Sequence, residues 1–372
     1  MTDIGFGLIG TGYMGKRHAV ALKAVGTVFN TRLRPVCELL CTTTASGAAQ
    51  KAAELGFNRS TADWRDLIKD QRVRAIIIAS PQFTHSQIAR AALAAGKPVL
   101  CEKPLGASLD DARAMVAAAA SARVANMIGF NYVRTPATQL AHEIIGNGEI
   151  GKIVHVRAEH TEDFYADPEA PVSWRTRDAA SGNLGDLAPH IINAVLRLAG
   201  PIERLVADVQ TVHLSRPGAT GREPVTNDDQ VDFICRFKNR AMGSISVSRV
   251  ATGKKMGYAY EITGTDGALR FDGEDQNSLW FYERRSQTGR QGFKRMLTGP
   301  DHPDYRAFCL GPGHGTGYGD QIIIEVRDFL KAIETGEPVY PTFHDGLEVS
   351  RVIAAAFRST EQRRWVDLAE IN

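Results

Sequence analysis

The sequence has little of what defines disulfide-rich, nucleic-acid-binding or membrane proteins. Its 372 residues include only five cysteines, an odd and scattered number without a C-x-x-C pair. This excludes a disulfide framework and predicts reduced core cysteines and no metal site. The formal net charge is only +2, without a polybasic block, so we expect no nucleic-acid partner. No run of about 18 apolar residues occurs, so we expect no membrane partner.

The N-terminus also lacks the basic and apolar regions of a secretory signal. It reads MTDIGFGLIG and passes directly into a strand pattern, so we expect a cytoplasmic protein. The hydrophobic content of 43% and the charged content of 23% are ordinary for globular proteins. Because the chain is longer than one hydrophobic core usually supports, we expect two domains.

A glycine pattern follows the first apolar run. Ile4 to Gly10 reads as a strand, and Gly10, Gly12 and Gly15 form G-x-G-x-x-G before a helical stretch. In a dinucleotide-binding turn the first glycine permits the bend, the second admits the pyrophosphate, and the third lets the helix pack closely. The pattern predicts a dinucleotide site that includes Tyr13 and Met14 of the same turn.

Glu38 is the candidate ribose ligand. It lies near the expected end of a second apolar run, Leu33 to Leu40, where a carboxylate accepts both ribose hydroxyls and repels a 2'-phosphate. No arginine follows that would hold such a phosphate. We therefore predict NAD rather than NADP, with a solvated strand-end acid as the alternative reading of Glu38.

Strand and helix patterns alternate regularly through the first third of the chain. The apolar run Ala75 to Ser80 is typical of a buried parallel strand, and a further strand leads into Glu102-Lys103-Pro104. This alternation predicts a Rossmann domain, a doubly wound parallel sheet, over residues 1–127. Lys103 closes a buried strand at the sheet edge where ligands bind, so it is either functional or extends to water.

The pattern changes in the remainder, residues 128–372. Strand-like segments joined by short turns predict an α+β domain with a large, open, mainly antiparallel sheet. We assign this domain to substrate binding and oligomerisation, and its last helices to packing on the first domain. Residues 215–227, rich in Pro, Gly and Thr, are predicted to form a surface loop.

A glycine-flanked segment of this second domain, SGNLGDLAPH, carries Asp186 and His190 at positions i and i+4. That spacing places both side chains on one face if the segment is helical. Pro189 lacks an amide proton, so we expect the regular helix to begin there, with Asp186 in the preceding turn. A capping aspartate and a structural histidine remain the alternative.

Four motifs together resemble the Gfo/Idh/MocA family of nicotinamide-dependent sugar and polyol dehydrogenases. They are GLIGTGYMG, SP-x-x-x-H at 80–85, AGKPVLCEKPL at 95–105 and NLGDLAPHIIN at 183–193. The resemblance covers nearly the whole chain and is greatest to the branch acting on inositols and cyclic sugars, including scyllo-inositol and L-glucose dehydrogenases.

The resemblance implies a catalytic trio of Lys103, Asp186 and His190. His190, with an ordinary pKa near 6.5, suits the role of general base, and the Lys103 charge would stabilise the developing alkoxide. Either group can be the final proton acceptor. Asp186 would hold a second hydroxyl or orient its neighbours. The resemblance also implies cofactor contacts from Ser80, Pro81, His85, Glu102 and Lys103, and assembly into dimers or tetramers.

The chain departs from the family after the sixth strand. Inositol-type members often read F-N-R-R there, whereas this chain reads Phe130-Asn131-Tyr132-Val133. The arginine contacts are therefore not carried over, while Asn131 and Tyr132 remain candidates for substrate contacts. Further candidates for the substrate pocket are His160, Trp174, Arg175, Arg177 and His314, the last serving its own subunit or a neighbouring one.

The function predicted from the sequence is the NAD-dependent oxidation of a secondary hydroxyl of an inositol or an aldose to the ketone or lactone. A glucose-fructose-type oxidoreductase that retains NADP is an alternative with the same motifs. A dinucleotide-binding regulator without catalysis is another, against which the intact Lys103, Asp186 and His190 argue. Enoyl or biliverdin-type reduction would keep the cofactor domain but would not need the Asp186 and His190 pair.

Overall fold

The computed structural model describes residues 1–371, except for the side chain of Ala179. The strands are β1 (Thr2–Ile9), β2 (Leu33–Cys41), β3 (Arg59–Thr61), β4 (Ala75–Ile78), β5 (Val99–Glu102), β6 (Asn126–Gly129), β7 (Ile153–Thr161), β8 (Ile202–Gln210), β9 (Ser215–Gly218), β10 (Gly221–Pro224), β11 (Gln230–Phe237), β12 (Met242–Ser248), β13 (Gly257–Gly264), β14 (Gly267–Asp272), β15 (Ser278–Glu283), β16 (Lys294–Leu297) and β17 (Val366–Asp367). The helices are α1 (Tyr13–Val28), α2 (Ala45–Leu55), α3 (Trp64–Lys69), α4 (His85–Ala94), α5 (Leu109–Ala122), α6 (Pro136–Gly146), α7 (Asn183–Asp186), α8 (Ala188–Ala199), α9 (Tyr318–Thr335) and α10 (Phe343–Gln362).

The chain divides into two compact units. The first comprises Met1–Arg134 and Thr316–Glu348, and the second comprises Thr135–Gly315 and the chain from Val349 onward. Helix α9 thus belongs to the same unit as the N-terminal strands. Its buried face includes Phe329, whose ring meets that of Phe6 in β1 edge to face, with centroids 6.2 Å apart.

The first unit is built on a six-stranded sheet in the order β3-β2-β1-β4-β5-β6, with every pair parallel. All four residues of β4 are buried, as expected for a strand covered on both faces. This order is that of a Rossmann fold, in which ligands bind beyond the carboxyl ends of the strands. The predicted doubly wound sheet is confirmed.

The second unit is built on a nine-stranded sheet in the order β16-β15-β14-β13-β7-β12-β11-β8-β17. Its pairs are antiparallel except β7 with β12. Burial alternates along β11, where Phe233 is buried and Ile234 is 45% exposed. One face of the sheet therefore carries the core of this unit, and helix α8, buried along most of its length, packs against β7. The predicted open, mainly antiparallel sheet is confirmed.

Several elements differ from the sequence prediction. The segment predicted to be a loop at 215–227 contains the antiparallel hairpin β9–β10. The short strand β3 was not predicted either, and after it Asp63 caps α3, accepting a hydrogen bond from the Arg65 amide at 3.0 Å. These short strands were missed because pairing with a neighbouring strand stabilises them more than their own sequence preference does.

The cysteines are free thiols, and four of the five are buried, as predicted; Cys309 is only partly buried. Burial raises the pKa of Cys37 and of Cys41 to about 11 and that of Cys235 to about 12, so these thiols stay protonated at neutral pH. Among the described residues, no helix combines the length and apolar character needed to cross a bilayer.

Candidate active site

The glycine turn between β1 and α1 has the geometry of a dinucleotide-binding loop. Gly10 has φ of +98°, and a Cβ there would lie 2.3 Å from the Ala79 carbonyl oxygen. A Cβ on Gly15 would lie 2.2 Å from the Gly10 oxygen, so α1 packs directly on the turn. By contrast, a Cβ on Gly12 would meet no atom within 4 Å. The turn is therefore closed on its protein side and open where a pyrophosphate would approach the first amides of α1.

Aromatic side chains surround this turn within the first unit. The ring of Tyr318, the first residue of α9, lies 5.9 Å from that of Tyr13 and 5.8 Å from that of Tyr132. Its hydroxyl is 3.2 Å from the Met14 sulfur. Tyr13 is 60% exposed, which leaves its ring available to a bound dinucleotide. The sequence analysis missed Tyr318 because it lies about 300 residues from the glycine turn.

Glu38 does not have the position expected of a ribose ligand. Strand β2 continues three residues past it, to Cys41, and the Glu38 carboxylate is buried among positive and polar partners. Asn58 donates to it at 3.0 Å and Arg59 at 2.7 Å. Burial raises the pKa of Glu38, but these hydrogen bonds outweigh it and the net pKa is lowered. The assignment of Glu38 to the ribose is therefore withdrawn: it anchors β2 to the Arg59 segment.

His85 also binds the protein itself. Its Nε2 lies 2.8 Å from the Ser80 carbonyl oxygen and its Nδ1 lies 2.9 Å from that of Pro104. The ring is buried and links the loops that follow β4 and β5. The Ser80 hydroxyl lies 2.6 Å from the Thr84 hydroxyl, and Pro81 precedes that short turn. We reassign His85 from a direct cofactor contact to the support of these two loops.

Lys103 follows the last residue of β5, and its peptide bond to Pro104 is cis. Its side chain is partly buried. The preceding Glu102 is buried, and its Oε1 lies 2.7 Å from Nε2 of His18 in α1. The two neighbouring residues thus have different surroundings, and Glu102 is part of the interior rather than a cofactor ligand.

Asn131 lies just beyond the sixth strand and is also directed into the first unit. It is buried and donates its side-chain N–H to Gln321 Oε1 at 2.7 Å. Tyr132 is half-buried beside Tyr318. Of the two predicted substrate contacts from this segment, Tyr132 is the better placed to meet a ligand.

In the second unit, Asp186 and His190 lie on consecutive helices that are separated only at Leu187. The turn α7 ends at Asp186, and α8 begins at Ala188 with Pro189 in its first turn, as expected. The glycine-flanked segment that carries both residues is thus mostly helical. Gly182 and Gly185 are required because a Cβ on either would lie 2.0 Å from an oxygen, of Asp228 and Ala180 respectively.

Arg175 is the predicted pocket residue that the structure brings to Asp186. Its Nε lies 3.2 Å from Asp186 Oδ2, and its guanidinium carbon lies 4.4 Å from the centre of the Trp174 ring. Trp174 is 55% exposed. An indole, a guanidinium and a carboxylate thus form one polar and aromatic surface next to the helix that bears His190.

A buried polar network fixes the backbone of this surface from below. Arg249 is 1% exposed and pairs with Asp229 at 2.9 Å. It also donates to the Arg175 carbonyl at 2.7 Å and to the Asn227 side-chain oxygen at 2.8 Å. Asn227 in turn donates to the Arg175 carbonyl at 2.8 Å. The network holds Arg175 in place through its main chain. No local pattern in the sequence indicates this network, because its members are far apart along the chain.

His160 lies beneath His190 and is not itself a surface group. It is fully buried, and its ring lies 5.8 Å from that of His190, edge to face. Its Nδ1 is 2.9 Å from the Leu187 carbonyl oxygen, at the junction of α7 and α8. We reassign His160 from a substrate contact to the support of this junction.

The remaining two candidates for the substrate pocket in the second unit are both exposed. Arg177 is exposed and pairs with Glu223 of β10 at 2.5 Å, so it does not join Arg175 at Asp186. His314 is exposed in its glycine-rich loop, and its role in a substrate site stays a prediction.

Comparison with known proteins agrees with this geometry. Residues 4–130 match the model of an oxidoreductase family with an NAD-binding Rossmann fold, and residues 138–270 match that of the GFO/IDH/MocA C-terminal domain. The chain belongs to the Gfo/Idh/MocA family. Membership confirms the resemblance found in the four sequence motifs and makes the chain an NAD-dependent dehydrogenase of CH–OH groups.

Individual relatives within the Gfo/Idh/MocA family include levoglucosan dehydrogenase of Pseudarthrobacter phenanthrenivorans, 37% identical over the full length of both chains. Myo-inositol 2-dehydrogenase of Thermotoga maritima is 27% identical over 98% of each chain. A solved structure of levoglucosan dehydrogenase in complex with NADH and L-sorbose superposes with a TM-score of 0.97, at 38% identity and 99% coverage of both chains.

The open glycine turn fits the NAD that this family binds. NAD remains the assigned cofactor although Glu38 is not placed to bind the ribose, because the assignment depends on family membership and on the open glycine turn. In this chain Gly10, Gly12 and Gly15 would hold the pyrophosphate, and Tyr13 and Met14 would lie beside it.

Proposed function

We propose that this protein oxidises a secondary hydroxyl of an anhydro sugar to the ketone with NAD, and that levoglucosan is the first candidate substrate. The observation that supports this most is the 37% identity with levoglucosan dehydrogenase along both complete chains, against 27% with myo-inositol 2-dehydrogenase. Inositols and aldoses, which the sequence analysis favoured, are the second candidates. These compounds share an uncharged ring with several hydroxyl groups.

The charges near Asp186 suit such a neutral substrate. Arg175 already lies 3.2 Å from the Asp186 carboxylate, so this carboxylate needs no positive group on the ligand. A carboxylate offers about four lone-pair sites and can accept from more than one donor, so in this proposal a sugar hydroxyl also donates to Asp186. The exposed Trp174 ring beside it provides an apolar face, which is suited to the C–H face of a pyranose.

The reaction requires a hydride to leave the carbon and a proton to leave its hydroxyl. Bound NAD supplies the hydride acceptor. In this proposal His190 takes the hydroxyl proton, Lys103 hydrogen-bonds the same oxygen and stabilises its developing negative charge, and Asp186 holds a neighbouring hydroxyl. The assignment of Lys103 or His190 as the final proton acceptor stays open, as in the sequence analysis. His160 beneath His190 and Arg249 beneath Arg175 keep these side chains in position.

A substrate panel tests the proposal. Purified protein is mixed with NAD or NADP and with levoglucosan, myo-inositol, scyllo-inositol or D-glucose, and NAD(P)H absorbance is followed. We expect levoglucosan with NAD to give the highest kcat/KM. A kcat/KM at least tenfold higher for an inositol or an aldose would reassign the substrate.

Measurements on the same purified protein distinguish the alternative functions. A glucose-fructose-type enzyme would carry NADP through purification, which cofactor analysis of the denatured protein detects. A non-catalytic regulator would bind NADH but reduce no cofactor with any member of the panel. Either result would contradict the proposed dehydrogenase.

A further inference from the structure

The first unit buries a cluster of titratable side chains directly beneath the Glu102-Lys103-Pro104 turn. It consists of His18 in α1, Glu102 in β5 and Glu325 in α9, and one ligand atom from each lies within 4.8 Å of those of the other two. His18 and Glu325 are fully buried, and Glu102 is 6% exposed. The mechanism proposed above uses none of these groups, so their charge states need a separate explanation.

Hydrogen bonding indicates which member of the His18 and Glu102 pair is charged. His18 Nε2 lies 2.7 Å from Glu102 Oε1, whereas His18 Nδ1 is buried and has no hydrogen-bond partner among the described residues. An imidazolium would place an N–H at Nδ1 with nothing to accept it. Burial lowers the pKa of His18, and the hydrogen bond to Glu102 raises it, with a net increase. The lack of an acceptor at Nδ1 nevertheless favours the neutral ring, which donates its proton from Nε2. Glu102 is then the anion of the pair.

Glu325 has surroundings that disfavour a second anion. Neither of its carboxyl oxygens has a hydrogen-bond partner within the described part of the chain, and an unsolvated carboxylate is costly unless it is paired. The negative charge of Glu102 adds repulsion. Arg134 is the nearby cation, but its guanidinium already pairs with Asp328 and donates to the Tyr340 carbonyl. A neutral carboxylic acid avoids the cost of an unpaired buried charge, and its O–H is then the only donor that needs an acceptor.

The electrostatic balance agrees with this reading. Burial, followed by the charge of Glu102, raises the pKa of Glu325 to about 7 against the opposing charges of Arg134 and a protonated His18. A neutral His18 removes one of these opposing charges, so the pKa of Glu325 rises further. Tyr318 also faces the cluster, and burial keeps its phenol protonated by raising its pKa far above neutral pH. The charged groups that act on Glu325 are therefore Glu102 and Arg134, and Asp328 is the partner of Arg134.

A divalent metal ion fits the same residues less well. A histidine that ligates a metal normally donates its other ring N–H to an acceptor, and His18 Nδ1 has none among the described residues. The 2.7 Å between His18 and Glu102 is a hydrogen-bond length. It is shorter than the roughly 3.3 Å between nitrogen and oxygen ligands at about 2.0 Å from a tetrahedral ion.

We propose that Glu325 is a neutral carboxylic acid near neutral pH, so that the buried cluster of His18, Glu102 and Glu325 carries a single negative charge. Ionisation of Glu325 would place a second unsolvated anion beside Glu102, which is why the proton stays on Glu325.

Infrared difference spectroscopy of the full-length protein tests the protonation itself. Wild type minus Glu325→Gln should show the carbonyl band of a protonated carboxylic acid at about pH 6, and the band should disappear by about pH 9. Glutamine has the shape of the neutral acid, so this variant should keep the thermal midpoint of the wild type at pH 6. An absent band would show that Glu325 is an anion and would overturn the proposal. A Glu325→Gln variant that fails to fold would also count against it, because glutamine has the shape and neutrality of the proposed acid.

Metal analysis of the purified protein tests the other possible occupant of the cluster. Stoichiometric metal in the wild type that is absent from Glu325→Gln would show that an ion takes the place of the proton and would overturn the proposal. Failure of the substrate panel would leave the infrared result unaffected.

Discussion

Replacing Arg249 by methionine should both destabilise the second unit and weaken substrate binding. Arg249 is 1% exposed and its partner Asp229 is fully buried. Removal of one member of a buried ion pair typically costs about 3–5 kcal/mol, because the other charge is left without compensation. Asp229 would keep the hydrogen bonds from the Val212 and His213 amides at 2.8 and 3.0 Å. We therefore expect the lower end of the range, about 3 kcal/mol.

That loss corresponds to a fall of about 10 °C in the unfolding midpoint of a unit of this size. Differential scanning calorimetry of the full chain measures it. The exposed pair between Arg284 and Asp266, 2.8 Å apart with Arg284 65% exposed, supplies the control. Arg284→Met should cost less than about 1 kcal/mol.

The partner substitution isolates the effect of the buried charge. Adding Asp229→Asn to Arg249→Met removes the uncompensated anion, so the double variant should be more stable than Arg249→Met alone. The KM for the sugar should rise in Arg249→Met, because the Arg175 carbonyl loses the bond at 2.7 Å that holds Arg175 near Asp186. A cost below about 1 kcal/mol together with an unchanged KM would refute the support role of the network.

The other predictions concern individual side chains. His190→Ala should lower kcat by about 100-fold or more while NADH affinity, measured by fluorescence titration, stays nearly unchanged; an equal loss of NADH binding would remove His190 from the base role. Arg175→Ala should raise the KM for the sugar several-fold. The control is Arg177→Ala, which should leave this KM close to wild type because the Arg177 guanidinium pairs with Glu223. Equal effects of the two substitutions would contradict the pairing of Arg175 with Asp186. Glu38→Gln should lower the thermal midpoint because Arg59 and Asn58 lose their charged acceptor, and a gain of NADP activity instead would restore the ribose role predicted from the sequence.

Features of this protein that depend on local chemistry were predictable from its sequence. The turn with Gly10, Gly12 and Gly15 was predictable because the spacing of its glycines between a strand and a helix is a local pattern typical of a dinucleotide-binding turn. Helix α5 was predictable because Ser108 caps it, accepting from the Asp111 amide at 3.1 Å. The alternation of strand and helix then predicted the parallel sheet, and Pro189 predicted the start of α8.

Which polar side chains contact each other depends on how distant parts of the chain fold together. Glu38 and His85 had the right residue type for a cofactor contact, yet their partners Arg59 and Pro104 are about 20 residues away. His18 and Glu102 are separated by 84 residues, and Glu325 comes from the far end of the chain. No local pattern records such pairs, because burial removes water from them and leaves each buried polar atom dependent on whichever group the fold brings within reach.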